Sequence, residues 1–401
     1  MDANGIQALA VAAINRQEHL PLKELRLSGL KNSTDSMMAA LGKAAPYLEV
    51  LDLSYSRQLH NSALEAFVAC DGHDGVELGV ETVMVIPRDL GRESNGIGKL
   101  RRRVTRLRHL VLSSCLFLTD TACSNLAFSV PKLEFLELAG MGMGDDGLIR
   151  LLSTTPYIRR LDLEDAFDIT DDVLAAITPT TDTPATESRA DDKQPGHVLQ
   201  HLNVSFAANI SDTAFLALIR NCPRLTVLEA DSTRMDSIVL KEFINLSRQR
   251  RAINSKIVAV DCRGIGESFV KEMSPMTRPR LGWRAYGARK LLYLDAKDDN
   301  EEDLKMGQDE CDEYRVVLKS FYSWQTVDAV KAVMEKRKKS TLRRTRSNSS
   351  NGTSEVEVSE SGRSSTRWWS PSGRRATRGG SGRTSPAPLL PDLNNDGCRT
   401  M

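Results

Sequence analysis

A leucine pattern, L-x-x-L-x-L, recurs along the chain and restricts the folds that this sequence can adopt. Seven clear copies begin at Leu22, Leu48, Leu107, Leu133, Ile158, Leu199 and Leu225, and a weaker eighth reads Ile257-x-x-Val260-x-Cys262. Successive copies are 25 or 26 residues apart where nothing intervenes. A period of this length is typical of solenoids, in which a unit cannot bury its apolar face alone and therefore stacks on its neighbours.

The second half of each unit carries the signals of a helix. Ten residues after the middle leucine of six copies stands Asp35, Asn61, Asp120, Asp146, Asp171 or Asp212. The residues just before four of these are Thr34, Thr119, Thr170 and Ser211, whose oxygens suit a helix N-terminus. A proline two residues before the next copy ends four of the helices, at Pro46, Pro131, Pro156 and Pro223. Each unit is therefore predicted to be a strand, a turn and a helix.

These units resemble the cysteine-containing subclass of leucine-rich repeats, whose pattern runs roughly L-x-x-L-x-L-x-x-C-x-x-I-T-D. The segment from Leu107 to Asp120 fits closely, and so do Ile169-Thr170-Asp171, Ile210-Ser211-Asp212 and Asn221-Cys222-Pro223. The resemblance covers about residues 20–265. It implies an α/β leucine-rich-repeat solenoid, a horseshoe with parallel strands on its concave side and helices outside. It also implies a scaffold for protein–protein interaction.

The same subclass occurs in F-box substrate receptors of SCF-type ubiquitin ligases, and in relatives that lack an F-box. The resemblance therefore implies a role as a substrate receptor in ubiquitin-dependent protein catabolism. In that family the F-box precedes the repeats, whereas the residues before Leu22 place Ile6, Leu9, Ala10, Ala13 and Ile14 at the spacing of a helix that completes an earlier repeat. Binding of a ubiquitin-ligase adaptor is accordingly expected only if an F-box is encoded upstream.

The domain organisation follows from where the period breaks. Residues 1–276 are predicted to form the solenoid, with insertions near 71–106 and 178–197 on one rim. The first insertion contains a basic run from Lys99 to Arg103, which fits either a binding element or tolerated loop growth. Residues 277–338 are predicted to form a C-terminal cap that includes a strand within Arg315–Tyr322, with a partner-docking element as the alternative.

Residues 339–401 are rich in Ser, Arg and Gly and are expected to form a disordered basic tail. A nuclear localisation signal is predicted at Lys336, Arg337, Lys338, Lys339, Arg343 and Arg344. The predicted phosphorylation sites are Ser347, Ser370 and Ser385. Such a tail supports an alternative function, a nucleic-acid-associated protein that binds through its Arg-, Gly- and Ser-rich segment.

No set of residues in the sequence points to catalysis. The six histidines form no zinc-binding spacing, and Gly140-x-Gly142-x-Gly144 falls where every repeat turns, so it indicates a repeat turn rather than a phosphate loop. The seven cysteines include no CxxC pair, and the chain has neither an apolar leader nor a long apolar run. We therefore expect a protein that is not an enzyme, has no cofactor and no membrane span, and resides in the cytoplasm, the nucleus or both.

The side chains on either side of the middle leucine should line the concave face, because side chains alternate along a strand. From the fourth copy onward carboxylates prevail in these positions. The predicted partner-binding residues are Phe135, Glu137, Arg160, Asp162, Glu164, His201, Asn203, Glu229, Asp231 and Asp261. For the eighth copy the pattern also predicts Ala259 and Arg263. Clustered carboxylates favour a protein partner with a basic segment, and a merely solvated face is the alternative.

Overall fold

The computed structural model describes residues 2–70, 80–93, 98–179, 194–278 and 313–322. The chain divides into two units, residues 1–343 and 344–401, and every described residue belongs to the first. The predicted localisation signal, the three predicted phosphorylation sites and the basic tail therefore lie outside the described residues.

Short strands alternate with helices along the described chain. The helices are α1 (Ala3–Asn15), α2 (Asp35–Ala44), α3 (Asn61–Val68), α4 (Asp120–Leu126), α5 (Asp145–Ser153), α6 (Asp171–Ile177), α7 (Asp212–Asn221), α8 (Ser237–Gln249) and α9 (Glu267–Met273). The strands are β1 (Glu24–Arg26), β2 (Val50–Asp52), β3 (Thr82–Val85), β4 (Leu100–Arg103), β5 (His109–Val111), β6 (Phe135–Glu137), β7 (Arg160–Asp162), β8 (His201–Asn203), β9 (Val227–Glu229), β10 (Lys256–Ala259), β11 (Thr277–Arg278) and β12 (Val316–Ser320).

One parallel sheet runs through the repeats in the order β1-β2-β5-β6-β7-β8-β9-β10-β12-β11. Its register places the middle leucines of successive copies side by side, from Leu25 and Leu51 to Leu228. From Leu51 onward these side chains are almost completely buried and belong to one continuous core. The structure thus confirms the predicted α/β leucine-rich-repeat solenoid, because each unit buries its leucines against the next.

The predicted helix caps are confirmed, and the acidic residues that begin α5 and α6 have a further role. Thr34, Thr119, Thr170 and Ser211 are N-caps whose side chains accept a hydrogen bond from a backbone N–H of their own helix. The carboxylate of Asp145 accepts bonds from the backbone N–H of Thr170 (2.8 Å) and from its hydroxyl (2.6 Å), and Asp171 receives the same pair from Ser211. These bonds join successive repeats. The spacing predicted Asp146, but α5 begins one residue earlier, after Gly144.

A turn with a left-handed residue follows each strand of the eight repeats. The residue two positions after the last core side chain of each strand has a positive φ of 53–72°. These eight residues are Gly29, Tyr55, Ser114, Gly140, Asp165, Phe206, Ser232 and Asp261. The first seven donate a backbone hydrogen bond to the turn of the next repeat, for example Gly140 to the carbonyl oxygen of Glu164 at 2.8 Å. The interpretation of Gly140 as part of a repeat turn therefore agrees with the structure.

In the described part of the first insertion, β3 and β4 pair as an antiparallel hairpin, which packs against the helix layer. Arg103 donates to the carbonyl oxygen of Phe67 in α3 at 2.9 Å, and Arg102 donates to the carbonyl oxygen of Asn125 in α4. Arg102 also lies 3.7 Å from the carboxylate of Glu65. Both guanidinium groups are buried, so this part of the basic run attaches the hairpin to the solenoid and is not a free binding element.

Beyond β10 the sheet departs from chain order. β12 pairs in parallel with both β10 and β11, so the later segment lies between two strands that precede it in the sequence. Leu318 stands beside Ile257 and extends the row of middle leucines. The strand predicted within Arg315–Tyr322 is confirmed, whereas most of the proposed cap region lies outside the described residues.

Candidate partner-binding face

The concave face consists of the side chains that flank the buried middle residue of each strand. One row aligns Phe135, Arg160, His201, Val227 and Lys256, and the next aligns Glu137, Asp162, Asn203, Glu229 and Val258. Glu164, Ser205 and Asp231 follow two residues later, just past the ends of β7, β8 and β9. Nine of the ten predicted partner-binding residues therefore share this face.

The eighth copy requires a correction. Ile257 pairs with Leu228, so it is the middle residue of its repeat and not the first, as the pattern suggested. The register therefore moves by three positions: Ala259 is buried in the core, and Asp261 belongs to the left-handed turn after the strand. Arg263 lies further along the same turn. The charged residue that β10 contributes to this face is Lys256, which the sequence pattern missed because the apolar run from Ile257 to Val260 conceals the register.

Glu229 lies between two basic side chains of the concave face. His201 Nε2 lies 3.2 Å and Lys256 Nζ 3.1 Å from Glu229 Oε1. The hydrogen bond from His201, together with the charge and hydrogen bond of Lys256, lowers the pKa of Glu229 to about 2, against the opposing effect of burial. At neutral pH this carboxylate is therefore charged and already neutralised by the fold.

Asp162 and Glu164 form a pair with much weaker compensation. The Asn203 side-chain amide donates to Asp162 Oδ1 at 2.9 Å and to Glu164 Oε2 at 3.3 Å, which holds the two carboxylates close together. Burial raises the pKa of both above their ordinary values, and in Glu164 the charge of Asp162 raises it further. The cation beside them is Arg160, whose Nη2 lies 3.9 Å from Asp162 Oδ2 and 3.6 Å from Glu137 Oε1.

Asp231 extends this excess of negative charge into the next strand. Its carboxylate accepts a 2.7 Å bond from the backbone N–H of Val260, which orients the side chain. Burial raises the pKa of Asp231 above its ordinary value, and the nearby charge of Glu229 raises it too. We name Glu137, Asp162, Glu164, Glu229 and Asp231 the acidic half of the concave face.

The described residues offer no other chemistry of this kind. No group of three or more His, Cys, Asp or Glu side chains within them is arranged to hold a metal ion. Burial raises the pKa values of the Cys115, Cys123 and Cys222 thiols, to between about 11 and about 12, as expected for cysteines that act as small core side chains. None of the helices in the described ranges has the length and apolar character that a membrane span needs.

Comparisons with known proteins give distant likenesses. No protein-family model matches the chain, and no curated protein does. A chain from the crystal structure of the Rad7 and Elc1 complex in yeast matches with a TM-score of 0.40 and 16% identity, over 67% of this chain and 62% of that one. An internalin (inlF) from Listeria monocytogenes str. 4b F2365 matches with a TM-score of 0.33 and 14% identity, over 65% and 63%. This chain thus spans about three fifths of each, and such likenesses carry no argument about partners.

Proposed function

We propose that this protein is a binding scaffold that holds a basic polypeptide segment against the acidic half of its concave face. The observation that carries the proposal is the group of Asp162, Glu164 and Asp231, half-buried carboxylates whose pKa values are raised. A raised pKa means that the free protein stabilises these negative charges poorly. A Lys or Arg side chain from a partner would supply the missing positive charge.

The geometry of the sheet suits an extended or helical segment. Neighbouring strands lie about 4.8 Å apart, so the carboxylates of the repeats that contain β6, β7 and β9 extend over roughly 14 Å. A single exposed ion pair contributes only about 0–1 kcal/mol. Measurable affinity therefore requires several pairs made together, in a groove that partly excludes water.

The test is partner capture by purified full-length protein immobilised as bait. The double variant Glu137→Lys/Glu164→Lys reverses two charges on the concave face, and the control Glu267→Lys/Glu272→Lys reverses two exposed charges on α9. Net charge changes equally in both. We expect the concave variant to lose captured protein by about tenfold or more, which is about 1.4 kcal/mol, while the control matches the unaltered protein.

Equal capture by both variants, with both folded by circular dichroism, would contradict the proposal. A second result that would contradict it is capture that does not weaken as salt concentration rises, because a contact between charges is screened.

For the biological process, we propose that partner recognition serves ubiquitin-dependent protein turnover. The support is the resemblance of the repeats to those of F-box substrate receptors. Affinity purification from the source cell with mass spectrometry tests this: a Skp-type adaptor and a cullin are expected in the purified material. Partners recovered reproducibly without either component would reject the ligase role and leave the proposed basic-segment binding to be judged by the charge variants.

A further inference from the structure

Large apolar side chains are exposed along one edge of the solenoid, in the turns that lead from strand to helix. They are Tyr55, Leu116, Phe117, Phe167 and Phe206, with 38–68% of each residue accessible. We name these five residues the apolar rim. Other apolar residues of the same turns, such as Met141 and Ile169, are fully buried. Exposed apolar residues that cluster in space mark interaction surfaces more often than isolated ones do.

The backbone beneath the apolar rim is fixed before any partner arrives. Successive turns are joined by hydrogen bonds, from Tyr55 N–H to the Ser113 carbonyl oxygen (2.9 Å) and from Phe206 N–H to the Asp231 carbonyl oxygen (2.7 Å). The turns between them are joined in the same way. A rigid surface loses little conformational freedom on binding, which favours affinity.

The fourth repeat leaves a notch in the middle of the apolar rim. Its turn, residues 139–144, contains three glycines, and the side chains of Met141 and Met143 point into the core. A Cβ atom built on Gly142 would meet nothing within 4 Å. Leu116 and Phe117 stand one repeat before this turn and Phe167 one repeat after it, so the notch is roughly 10 Å wide at the strand spacing. That width accommodates an apolar side chain of a partner.

The charges around the notch indicate which partner it takes. The four turns at residues 113–119, 139–144, 164–170 and 205–211 contain Glu164, Asp165 and Asp168 but no Lys or Arg. The nearest turns that contain a cation are those on either side, with Arg57 and Arg234. Glu164 also belongs to the acidic half of the concave face, so the two surfaces are continuous.

We infer that the apolar rim is a second interaction surface, which takes an aromatic or large aliphatic side chain of a polypeptide segment with Lys or Arg close by. This inference rests on the proposed function, because the same basic segment would bind the acidic half of the concave face and place its apolar residue in the notch. Charge supplies attraction and the notch supplies selectivity among basic segments.

Selection from a phage library of random dodecapeptides, on the immobilised full-length protein, tests the inference. Enriched peptides are expected to combine Lys or Arg with Trp, Phe, Tyr, Leu or Met. Their affinities are then measured by fluorescence anisotropy for Gly142→Lys, which fills the notch and adds a positive charge, and for the matched control Gly98→Lys. Gly98, in the hairpin insertion, is equally open to an added side chain. We expect affinity to fall about tenfold or more for Gly142→Lys and to stay unchanged for Gly98→Lys.

A second pair of variants, one on the apolar rim and one control, removes an apolar side chain instead of adding a larger one. Phe167→Ser should weaken the same peptides, whereas Ile238→Ser, at a similarly exposed position on α8, should not.

The outcomes separate the two surfaces. Enriched peptides that bind all four variants equally would show that the apolar rim is not an interaction surface. If the Glu137→Lys/Glu164→Lys variant alone loses them, the proposed function stands and this inference fails. If the rim variants alone lose them, the rim is a binding surface and the acidic half is not. Enrichment of peptides without basic residues would also overturn the inference.

Discussion

The basic run of the first insertion and the acidic half of the concave face are both clusters of like charge, but the fold treats them in opposite ways. Arg102 and Arg103 are buried and donate to backbone carbonyl oxygens at α3 and α4. Asp162 and Glu164 stay half-buried beside one another, and the nearby Arg160 does not offset the effect of burial on their pKa values. A charge cluster is therefore available to a partner when the fold has not already supplied opposite charges or hydrogen-bond partners for it.

The largest expected effect comes from the buried side of this comparison. Arg103→Ala should lower the free energy of unfolding by about 2–3 kcal/mol, because it leaves the Phe67 carbonyl oxygen without its donor and opens a gap beneath the hairpin. Lys99 is an exposed residue of the same run, so Lys99→Ala should change the free energy of unfolding by less than about 0.5 kcal/mol. Urea unfolding followed by circular dichroism measures both. Equal losses of unfolding free energy in the two variants would mean that the buried arginine stabilises the fold no more than the exposed lysine does.

Glu229 is expected to give the next largest effect, because it is the concave carboxylate that the fold does neutralise. Its pKa is lowered to about 2, so its ionised form stabilises the folded state. That contribution is fully present above the ordinary glutamate pKa and is lost as the pH falls towards 2. Glu229→Gln should therefore destabilise the protein at neutral pH by about 1–2 kcal/mol, with the difference from the unaltered protein shrinking in acid. A constant difference between pH 7 and pH 3 would contradict this assignment.

The smallest effect, of opposite sign, is expected at Glu164. Its raised pKa means that ionisation costs stability, a cost that is absent when the carboxyl is protonated and appears as the pH rises through the raised pKa. Glu164→Gln should raise the thermal midpoint slightly at pH 7, by the equivalent of less than about 1 kcal/mol, and should weaken capture of a basic partner. A lower thermal midpoint would show that Glu164 supports the fold and break the contrast with Glu229.

The parts of the fold that depend on local spacing were predictable from the sequence. The middle leucines, the four Ser and Thr caps and the turn at Gly140 all follow from which residue types suit a strand, a helix start and a positive φ. The register of β10 was not predictable from the sequence. Ile257, Val258, Ala259 and Val260 are all apolar, so no alternation distinguishes the side chains of the core from those of the concave face. Lys256 was missed for the same reason.

Contacts between distant residues were also beyond the sequence. Nothing in the run from Lys99 to Arg103 shows that two of its arginines meet the backbone of α3 and α4, since those contacts join residues 23 to 36 positions apart. Likewise, the amide of Asn203 brings Asp162 and Glu164 together from 39 or more positions along the chain. Alternation along the strands predicted which side chains share the concave face, but not which carboxylates the fold neutralises.

The most direct test of the account is a carboxyl-carbon NMR titration of Asp162, Glu164 and Asp231, in the free protein and in the protein saturated with a captured basic segment. In the free protein the three pKa values should lie above the ordinary Asp and Glu values, as burial and mutual repulsion require. In the complex they should fall, because the Lys or Arg of the partner favours the charged form. Ordinary pKa values in the free protein, or values that do not change on binding, would contradict the claim that these carboxylates receive a cationic partner.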